Sequence, residues 1–497
     1  MAAPQRGSER LAWALFVAAL AAARVLACPR VPDGHDALYF VRALDRFSVH
    51  DASPHWPGYP VYVLAGRALR RAVGDGAWAL HLVSVAASVA ALAPLTDLAR
   101  RWAARLPLSP PAPARAAWLA AVAWAVVPYT WLTGSQILSD PLGLLLALSV
   151  LAACDRLAER PSPATLAAAW LGAGLLLGVR LAYAGLLVPL AWVTWRVVRA
   201  GGPRAAAVAA GGLAAGAAPW LCWQLAVDAG GLLRGAPRTL AGHFQAWGGT
   251  AYTDRDLVGR LEVVVRGWVL DGLGLWAQSV EWRGLAFAVP FLLLAGAGLA
   301  RLRRAPRDTR VLFLLWAVPY AASAFLVLDA AQPRYGLPLA AVACVVVGLG
   351  VPRGRVPALA TGVLLAGGGL AVSVPLALSH REGPPGLRLV RRVLADGGRV
   401  ALLHDAGPSV SAFLLLPEAA RVEWAAVSAE TATARARALR EAGHEVYSTV
   451  TPQDAPEDWR PLARFCGRPA LVADEEDDLW LFRYAPGAPP APPPPCS

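Results

Sequence analysis

Long apolar runs separated by short polar connections dominate the first three quarters of the chain. The first run extends from about Leu11 to Cys28, and ten more are centred near residues 88, 124, 146, 172, 189, 215, 292, 319, 343 and 365. A helix needs about 20 apolar residues to cross the hydrocarbon core of a bilayer. The pattern therefore predicts an α-helical polytopic membrane protein with about eleven transmembrane helices.

The pattern of apolar and polar positions changes after about Ser379. Short strand-like runs and one helix-like run follow: Arg399–His404, Arg421–Val427, Thr431–Ala442, Glu445–Val450, Ala470–Ala473 and Leu479–Tyr484. We therefore expect a membrane domain over residues 1–380, a small α/β domain over 381–485 and a disordered, Pro-rich tail over 486–497. No Gly-rich phosphate-binding motif follows the first strand, so the sequence does not predict a nucleotide site there.

Composition supports the membrane assignment. The chain is 57% hydrophobic and 16% charged, with a mean hydropathy of +0.46, which is more apolar than soluble globular proteins. The net charge of +12 suggests nucleic acid at first, but the arginines lie in clusters between apolar runs. That placement is typical of cytoplasmic helix ends, and we expect no nucleic-acid partner.

Arginine clusters also predict the orientation of the chain. Arg6 and Arg10 precede the first run and place the N-terminus in the cytoplasm. Alternate connections carry the other clusters, at residues 100–105, 156–160, 196–204, 301–310 and 353–355. An odd number of crossings then leaves the C-terminal domain on the extracytoplasmic side.

The first outer connection carries Asp33, His35 and Asp36 close after the first membrane helix. The two carboxylates suit the N-terminus of a short interfacial helix, where Asp is a favoured cap. They also suit acid–base chemistry at the outer face. The spacing alone leaves both interpretations open.

Two further polar positions lie on the outer side. Asp140 follows Ser139 and precedes Pro141 at the start of a membrane helix, where it is able to act as a cap. A carboxylate at this depth is costly in lipid, so we expect it to face protein or a water-filled cavity. Arg180, the one charge in its short connection, either extends to lipid head groups or binds a phosphate through its guanidinium group.

Late in the membrane portion, Arg334 and Tyr335 lie in the segment Gln332–Pro338, again on the outer side. Tyrosine is common at membrane interfaces for its amphipathic shape alone. His243, in the second long outer connection, is surrounded by aromatic residues and is the weakest of the candidates.

Taken together, the Asp-bearing first loop with Pro57-Gly58-Tyr59-Pro60, the Ser139-Asp140-Pro141-Leu142 segment and Pro333-Arg334-Tyr335 resemble GT-C glycosyltransferases. The nearest resemblance is to bacterial relatives of protein O-mannosyltransferases and to lipid A sugar transferases, and it covers roughly residues 10–380. The first loop departs from some members in having Asp-Gly-His-Asp where they have an Asp-Glu pair.

The resemblance implies sugar transfer from a polyprenyl-phosphate donor to a lipid, glycan or protein acceptor at the outer face. It implies a first-loop aspartate as the general base, Asp36 with Asp33 as the rival. A cation must stabilise the departing phosphate, and Arg180 and Arg334 are the candidates. Tyr335, His35, Asp140 and His243 complete the predicted substrate-binding set. Whether Asp33, His35 and Asp36 hold a divalent metal stays open.

Two other functional classes remain as alternatives. A transporter or flippase of a lipid-linked substrate would show internal repeats and charges near the bilayer midplane, whereas the notable charges here gather at one face. A membrane scaffold that binds a partner through its outer domain would need no such cluster of Asp and Arg residues.

Overall fold

A computed structural model of the protein describes residues 7–29, 31–107, 112–247, 249–253, 256–275, 282–405, 408–411, 413–467, 478–489 and 492–496. Arg6 and the predicted strand Ala470–Ala473 lie outside these ranges. The chain forms two compact units. We call Met1–Cys28 with Tyr39–Leu378 the membrane unit, and Pro29–Leu38 with Ser379–Ser497 the C-terminal unit.

Helices make up the described part of the membrane unit. In chain order they are α1 Gly7–Ala27, α2 His35–Asp45 (its first turn in the C-terminal unit), α3 Pro60–Val73, α4 Gly76–Ala90, α5 Leu92–Ala104, α6 Pro113–Val126, α7 Pro128–Thr133, α8 Asp140–Glu159, α9 Pro163–Val179, α10 Val188–Gly242, α11 Leu257–Val264, α12 Trp282–Leu302, α13 Arg307–Val327, α14 Leu337–Leu349 and α15 Arg355–Ser379. Proline opens several of them, including α3, α6 and α9, because its fixed φ suits the first turn and its missing N–H is not needed there.

The described residues contain seven helical stretches long and apolar enough to cross a membrane. One of these, Leu181–Gln245, divides at Gly202 into two arms, and the second arm has a further non-helical residue at Asp228. Three further apolar helices are shorter: Pro113–Val126, Pro163–Val179 and Pro333–Leu349. With the two arms counted separately, the described residues hold eleven apolar helices. The predicted fold class, a polytopic helical membrane protein with a small C-terminal α/β domain, is confirmed.

The break inside α10 explains how two predicted spans share one helix. Gly202 has φ +65°, a left-handed conformation that glycine adopts without strain, and Pro203 follows it. Proline cannot donate the backbone hydrogen bond that would continue the first arm. The helix therefore changes direction at this pair.

The C-terminal unit contains a five-stranded sheet with short helices. Its elements after α15 are α16 Pro385–Ala395, β1 Val400–His404, α17 Pro408–Ser411, β2 Val422–Ala426, α18 Ala432–Glu441, β3 Glu445–Ser448, β4 Trp459–Phe465 and β5 Leu479–Tyr484. The strand order is β2-β1-β3-β5-β4, with β1 parallel to β2 and β3, and β5 antiparallel to β3 and β4. Alternation along β1 directs Val400 and Leu402 into one apolar cluster and Ala401 and Leu403 into another, so both faces of the sheet are covered.

A disulfide joins Cys466, just after β4, to Cys496 in the Pro-rich C-terminal segment, with Cα atoms 5.5 Å apart. Cys496 also forms an isolated bridge to Arg464 of β4. Neither contact is visible in the spacing of the cysteines. The segment that the sequence assigns to a disordered tail is thus covalently attached to the edge of the sheet.

Candidate active site

The segment between α7 and α8 is buried and held by side chains of α4. His81 donates from Nδ1 to the carbonyl of Ser135 at 2.7 Å, and the hydroxyl of Ser84 donates to the carbonyl of Leu138 at 3.1 Å. Backbone carbonyls in a low-dielectric interior need such donors. These two contacts hold the segment in place just before Asp140, the first residue of α8.

Arg24 of α1 stabilises the beginning of the same segment. Its guanidinium group is fully buried and donates to the Ser88 hydroxyl and the Thr130 carbonyl. A Cβ atom at Gly134 would overlap that guanidinium group, so only glycine fits the position. Helix α1 therefore brings a buried cation to the segment that leads to Asp140.

Asp140 forms a buried ion pair with Arg180. The Arg180 Nη1 lies 3.0 Å from Asp140 Oδ2 and 3.0 Å from the Ser139 hydroxyl, and the Tyr183 hydroxyl donates to Asp140 Oδ1 at 3.3 Å. Asp140 is 0% and Arg180 5% exposed. The expectation that Asp140 faces protein agrees with this burial. The alternative in which Arg180 extends to lipid head groups is wrong, because the guanidinium group turns inward to the carboxylate.

Tyr335 brings the two predicted phosphate ligands together. The ring centroid of Tyr335 lies 5.4 Å from the Arg180 Cζ and 5.7 Å from the Arg334 Cζ. The backbone around Tyr335 is held by the Tyr320 hydroxyl, which donates to its carbonyl at 2.8 Å, and Tyr320 packs edge-on against Tyr183 at 5.8 Å. Two guanidinium groups therefore lie within cation–π distance of one half-buried aromatic ring.

His243 has a different environment. Its Nε2 donates to the carbonyl of Val327 at 2.7 Å, at the end of α13, and its ring contacts Phe244. This bond gives the histidine a structural partner. Its role in substrate binding stays a prediction.

In the C-terminal unit, the two first-loop aspartates differ in environment. Asp33 Oδ2 lies 2.9 Å from His380 Nδ1, and both side chains are buried. Asp36, in the first turn of α2, lies 3.5 Å from His35 Nε2 and keeps 12% of its side-chain surface exposed. Asp36 therefore keeps a small part of its side chain exposed, whereas the Asp33 side chain is enclosed.

A metal site receives no support from the described residues. Among them, no group of three or more His, Cys, Asp and Glu side chains is arranged to hold a metal ion. Asp33 contacts His380, which the sequence analysis did not consider, and Asp36 contacts His35.

The sequence analysis quoted Ser139 in a motif without giving it a role, and it assigned no role to Tyr183, Tyr320 or His380. Tyr183 follows Arg180 by three residues, and a cation three positions before an aromatic residue was a usable signal. His380 lies 347 positions from Asp33 along the chain, and no local pattern connects them.

Comparisons with known proteins were made for the sequence and for the fold. No family model and no curated protein matches the sequence. The apo structure of ArnT from Cupriavidus metallidurans superposes on 96% of this chain and 98% of its own, with TM-score 0.55 and 15% identity. The same protein bound to undecaprenyl phosphate superposes on 97% of this chain and all of its own, with TM-score 0.55 and 15% identity. The chain therefore has the fold of ArnT. ArnT belongs to the GT-C glycosyltransferases, the group that the sequence motifs resemble.

Proposed function

We propose, from the GT-C fold that the chain shares with ArnT, that the protein is a membrane glycosyltransferase using a polyprenyl-phosphate sugar as donor. The arrangement of Arg180 and Arg334 around Tyr335 carries the proposal. A lipid phosphate gathers negative charge as the sugar leaves, and guanidinium groups in a water-poor site stabilise that charge strongly. The ArnT structure with undecaprenyl phosphate is consistent with a lipid of this class.

The two arginines have different parts in the proposal. Arg180 is already neutralised by Asp140 at 3.0 Å, so its main effect is to orient Asp140, Tyr183 and Tyr335. Arg334, whose Cζ lies 5.7 Å from the centroid of the same ring, is proposed as the principal ligand of the donor phosphate. The buried Asp140–Arg180 ion pair holds the Tyr335 ring, and with it Arg334, in one geometry.

The reaction balances with one base and one leaving group. The Asp36 carboxylate takes the proton of the acceptor hydroxyl as that oxygen attacks the anomeric carbon. The bond from the anomeric carbon to the phosphate oxygen breaks, and its electron pair leaves with polyprenyl phosphate. Attack opposite the leaving group inverts the anomeric centre.

The disulfide of the C-terminal unit supports the proposed orientation of the chain. Stable disulfides form in oxidising compartments and are rare in the cytosol, so Cys466–Cys496 supports an extracytoplasmic C-terminal unit. A cytoplasmic N-terminus with an odd number of crossings predicts the same. Alkaline phosphatase fused after residue 390 should be active; fluorescence from a reporter that folds only in the cytoplasm would contradict this topology.

The activity test uses purified protein in detergent with undecaprenyl-phosphate-linked hexoses and pentoses as donors and a membrane lipid extract as acceptor. We expect acceptor-dependent release of undecaprenyl phosphate from at least one donor. An Asp36→Asn variant, which keeps shape but cannot accept the proton, is the matched control. If no donor reacts while the protein moves these lipids across vesicle membranes, the flippase alternative replaces the proposal.

A further inference from the structure

The residues of the candidate base loop belong to the C-terminal unit. Pro29–Leu38 forms one compact unit with Ser379–Ser497, although more than three hundred residues separate the two segments in sequence. Asp33, His35 and Asp36 all lie in the shorter segment. The longer segment of this unit, Ser379–Ser497, has no assigned role in the proposed transfer reaction.

A directed polar contact holds the loop within this unit. His380, just after the end of α15, is 1% exposed, and its Nδ1 lies 2.9 Å from the Asp33 carboxylate. A hydrogen bond to a charged group at this burial is strong because little water competes for either partner. It restrains the chain three residues before Asp36.

Apolar packing restrains the same loop from a second side. Val31 packs against the cluster that contains Leu387, Leu389 and Val390 of α16. The turn between His380 and α16 has Gly383 at φ +89°, and a Cβ there would lie 3.0 Å from both Val31 and Leu387. Only glycine permits this turn together with this close approach. The loop is therefore held by one polar and one apolar contact, two residues apart.

These contacts have a direct consequence for α2. The backbone N–H of Leu38 bonds to the carbonyl of Gly34 at 3.2 Å, so the first turn of the helix begins immediately after Asp33. With Asp33 held, the rotation of that turn is restricted, and so is the direction of the Asp36 side chain. A general base needs this restriction, since its oxygen must reach the acceptor proton at hydrogen-bond distance.

We infer that the C-terminal unit positions the catalytic base, and that His380 is the positioning residue through which it acts. The inference rests on the proposed function, because it assigns the base to Asp36. It also gives Asp33 a part in the reaction: this carboxylate accepts a hydrogen bond from His380 and takes no substrate proton.

The test compares three histidine variants in the full-length protein. His380→Ala removes the donor, and His380→Asn places a side-chain N–H close to the lost Nδ1. His444→Ala is the matched control, because His444 also contacts a carboxylate of the same unit, Glu423 at 3.2 Å, away from the loop. Turnover and the KM for an undecaprenyl-phosphate-linked sugar are measured for each.

We expect kcat to fall about 10- to 100-fold in His380→Ala, the effect of misplacing a catalytic group by about 1 Å. The KM for the donor should stay unchanged, Asn should restore most of the rate, and His444→Ala should match the parent protein. Unchanged kcat in His380→Ala, or a His380→Asn variant as slow as the alanine one, would overturn the inference.

Asp33→Asn provides a second route if His380→Ala fails to fold. Asparagine retains an oxygen that accepts from His380, so we expect activity within a few-fold of the parent, whereas Asp36→Asn should be nearly inactive. Loss at Asp33 with retention at Asp36 would overturn the inference and make Asp33 the base. A parent protein with no transfer from any donor would instead refute the proposed function itself.

Discussion

Each unit of the molecule contains a buried aspartate with a basic partner, and the two pairs differ in kind. Asp140 meets Arg180 in the membrane unit, and Asp33 meets His380 in the C-terminal unit. Arginine remains charged throughout, so Asp140 has a permanent counter-charge in a region where an isolated carboxylate is very costly. His380 instead donates one hydrogen bond of defined direction to the Asp33 carboxylate. We infer that the Asp140–Arg180 pair both stabilises the fold and orients its neighbours, whereas the Asp33–His380 pair acts mainly through geometry.

Arg180→Ala should break the membrane pair with the largest loss of stability. The Asp140 carboxylate would remain buried without its counter-charge, which destabilises by about 3–5 kcal/mol in comparable pairs. Thermal unfolding in detergent measures the loss. The double variant Arg180→Ala with Asp140→Asn should recover part of it; no recovery would mean that Arg180 acts by packing.

Asp36→Asn sharpens the comparison from the other side, since it should change the rate and leave stability almost untouched. We expect turnover to fall by about a hundredfold or more, because the amide cannot take the acceptor proton. Asn and Asp cap helices about equally well. If Asp36 only caps α2, sugar transfer by the variant will equal that of the parent protein.

Arg334→Ala tests whether the cation beside Tyr335 binds donor rather than supporting the fold. Hydrogen bonds to charged groups contribute about 1.5–3 kcal/mol, so the KM for the lipid-phosphate donor should rise about tenfold or more. The unfolding temperature should change less than in Arg180→Ala. An unchanged donor KM would remove Arg334 from the site.

Tyr447→Phe should have the smallest effect of these substitutions. It removes a hydrogen bond to the Asp396 carboxylate at the surface of the C-terminal unit. The Tyr447 hydroxyl donates to Asp396, and this bond lowers the pKa of the Asp396 carboxyl below its ordinary value. Because the pKa of Asp396 is lower in the folded than in the unfolded state, its carboxylate stabilises the fold at pH values above the unfolded-state pKa. This stabilisation is lost as the pH falls through the folded-state pKa.

The expected loss in Tyr447→Phe is therefore about 1 kcal/mol at neutral pH, shrinking toward zero below about pH 4. The free energy of unfolding of the parent protein and of Tyr447→Phe, measured at neutral pH and below about pH 4, checks this. A loss that is the same at both would show that the hydroxyl acts through packing and not through the carboxylate.

The long apolar helices of the membrane unit were predictable because a bilayer imposes length and apolarity on every crossing. Even the shared helix α10 was seen as two spans. The shorter helices α3, α7 and α11 were not predicted. The strands β1, β2, β3 and β5 were also predicted. Strand β4 was missed because Pro461 interrupts its apolar pattern, and proline is tolerated there since β4 is an edge strand with a register shift at that residue.

The candidate site was only partly predictable. Arg180, Arg334 and Tyr335 stood out because charges on the outer side of short connections are unusual. That Arg180 would turn to Asp140 depends on helix packing, which no spacing between distant segments reveals. His380 carries no local signal at all, because a single histidine after an apolar run has no distinguishing pattern.

The separation of 347 residues between Asp33 and His380 also has a consequence for biosynthesis. Ribosomes add about 5–20 residues per second, and chains fold from the N-terminal side first. The loop with Asp33 and Asp36 therefore emerges roughly 20–70 s before its histidine at those rates. A chain inserted only up to the last membrane helix has the loop with Asp33 but not His380, so the contact between them forms only after translation has passed residue 380.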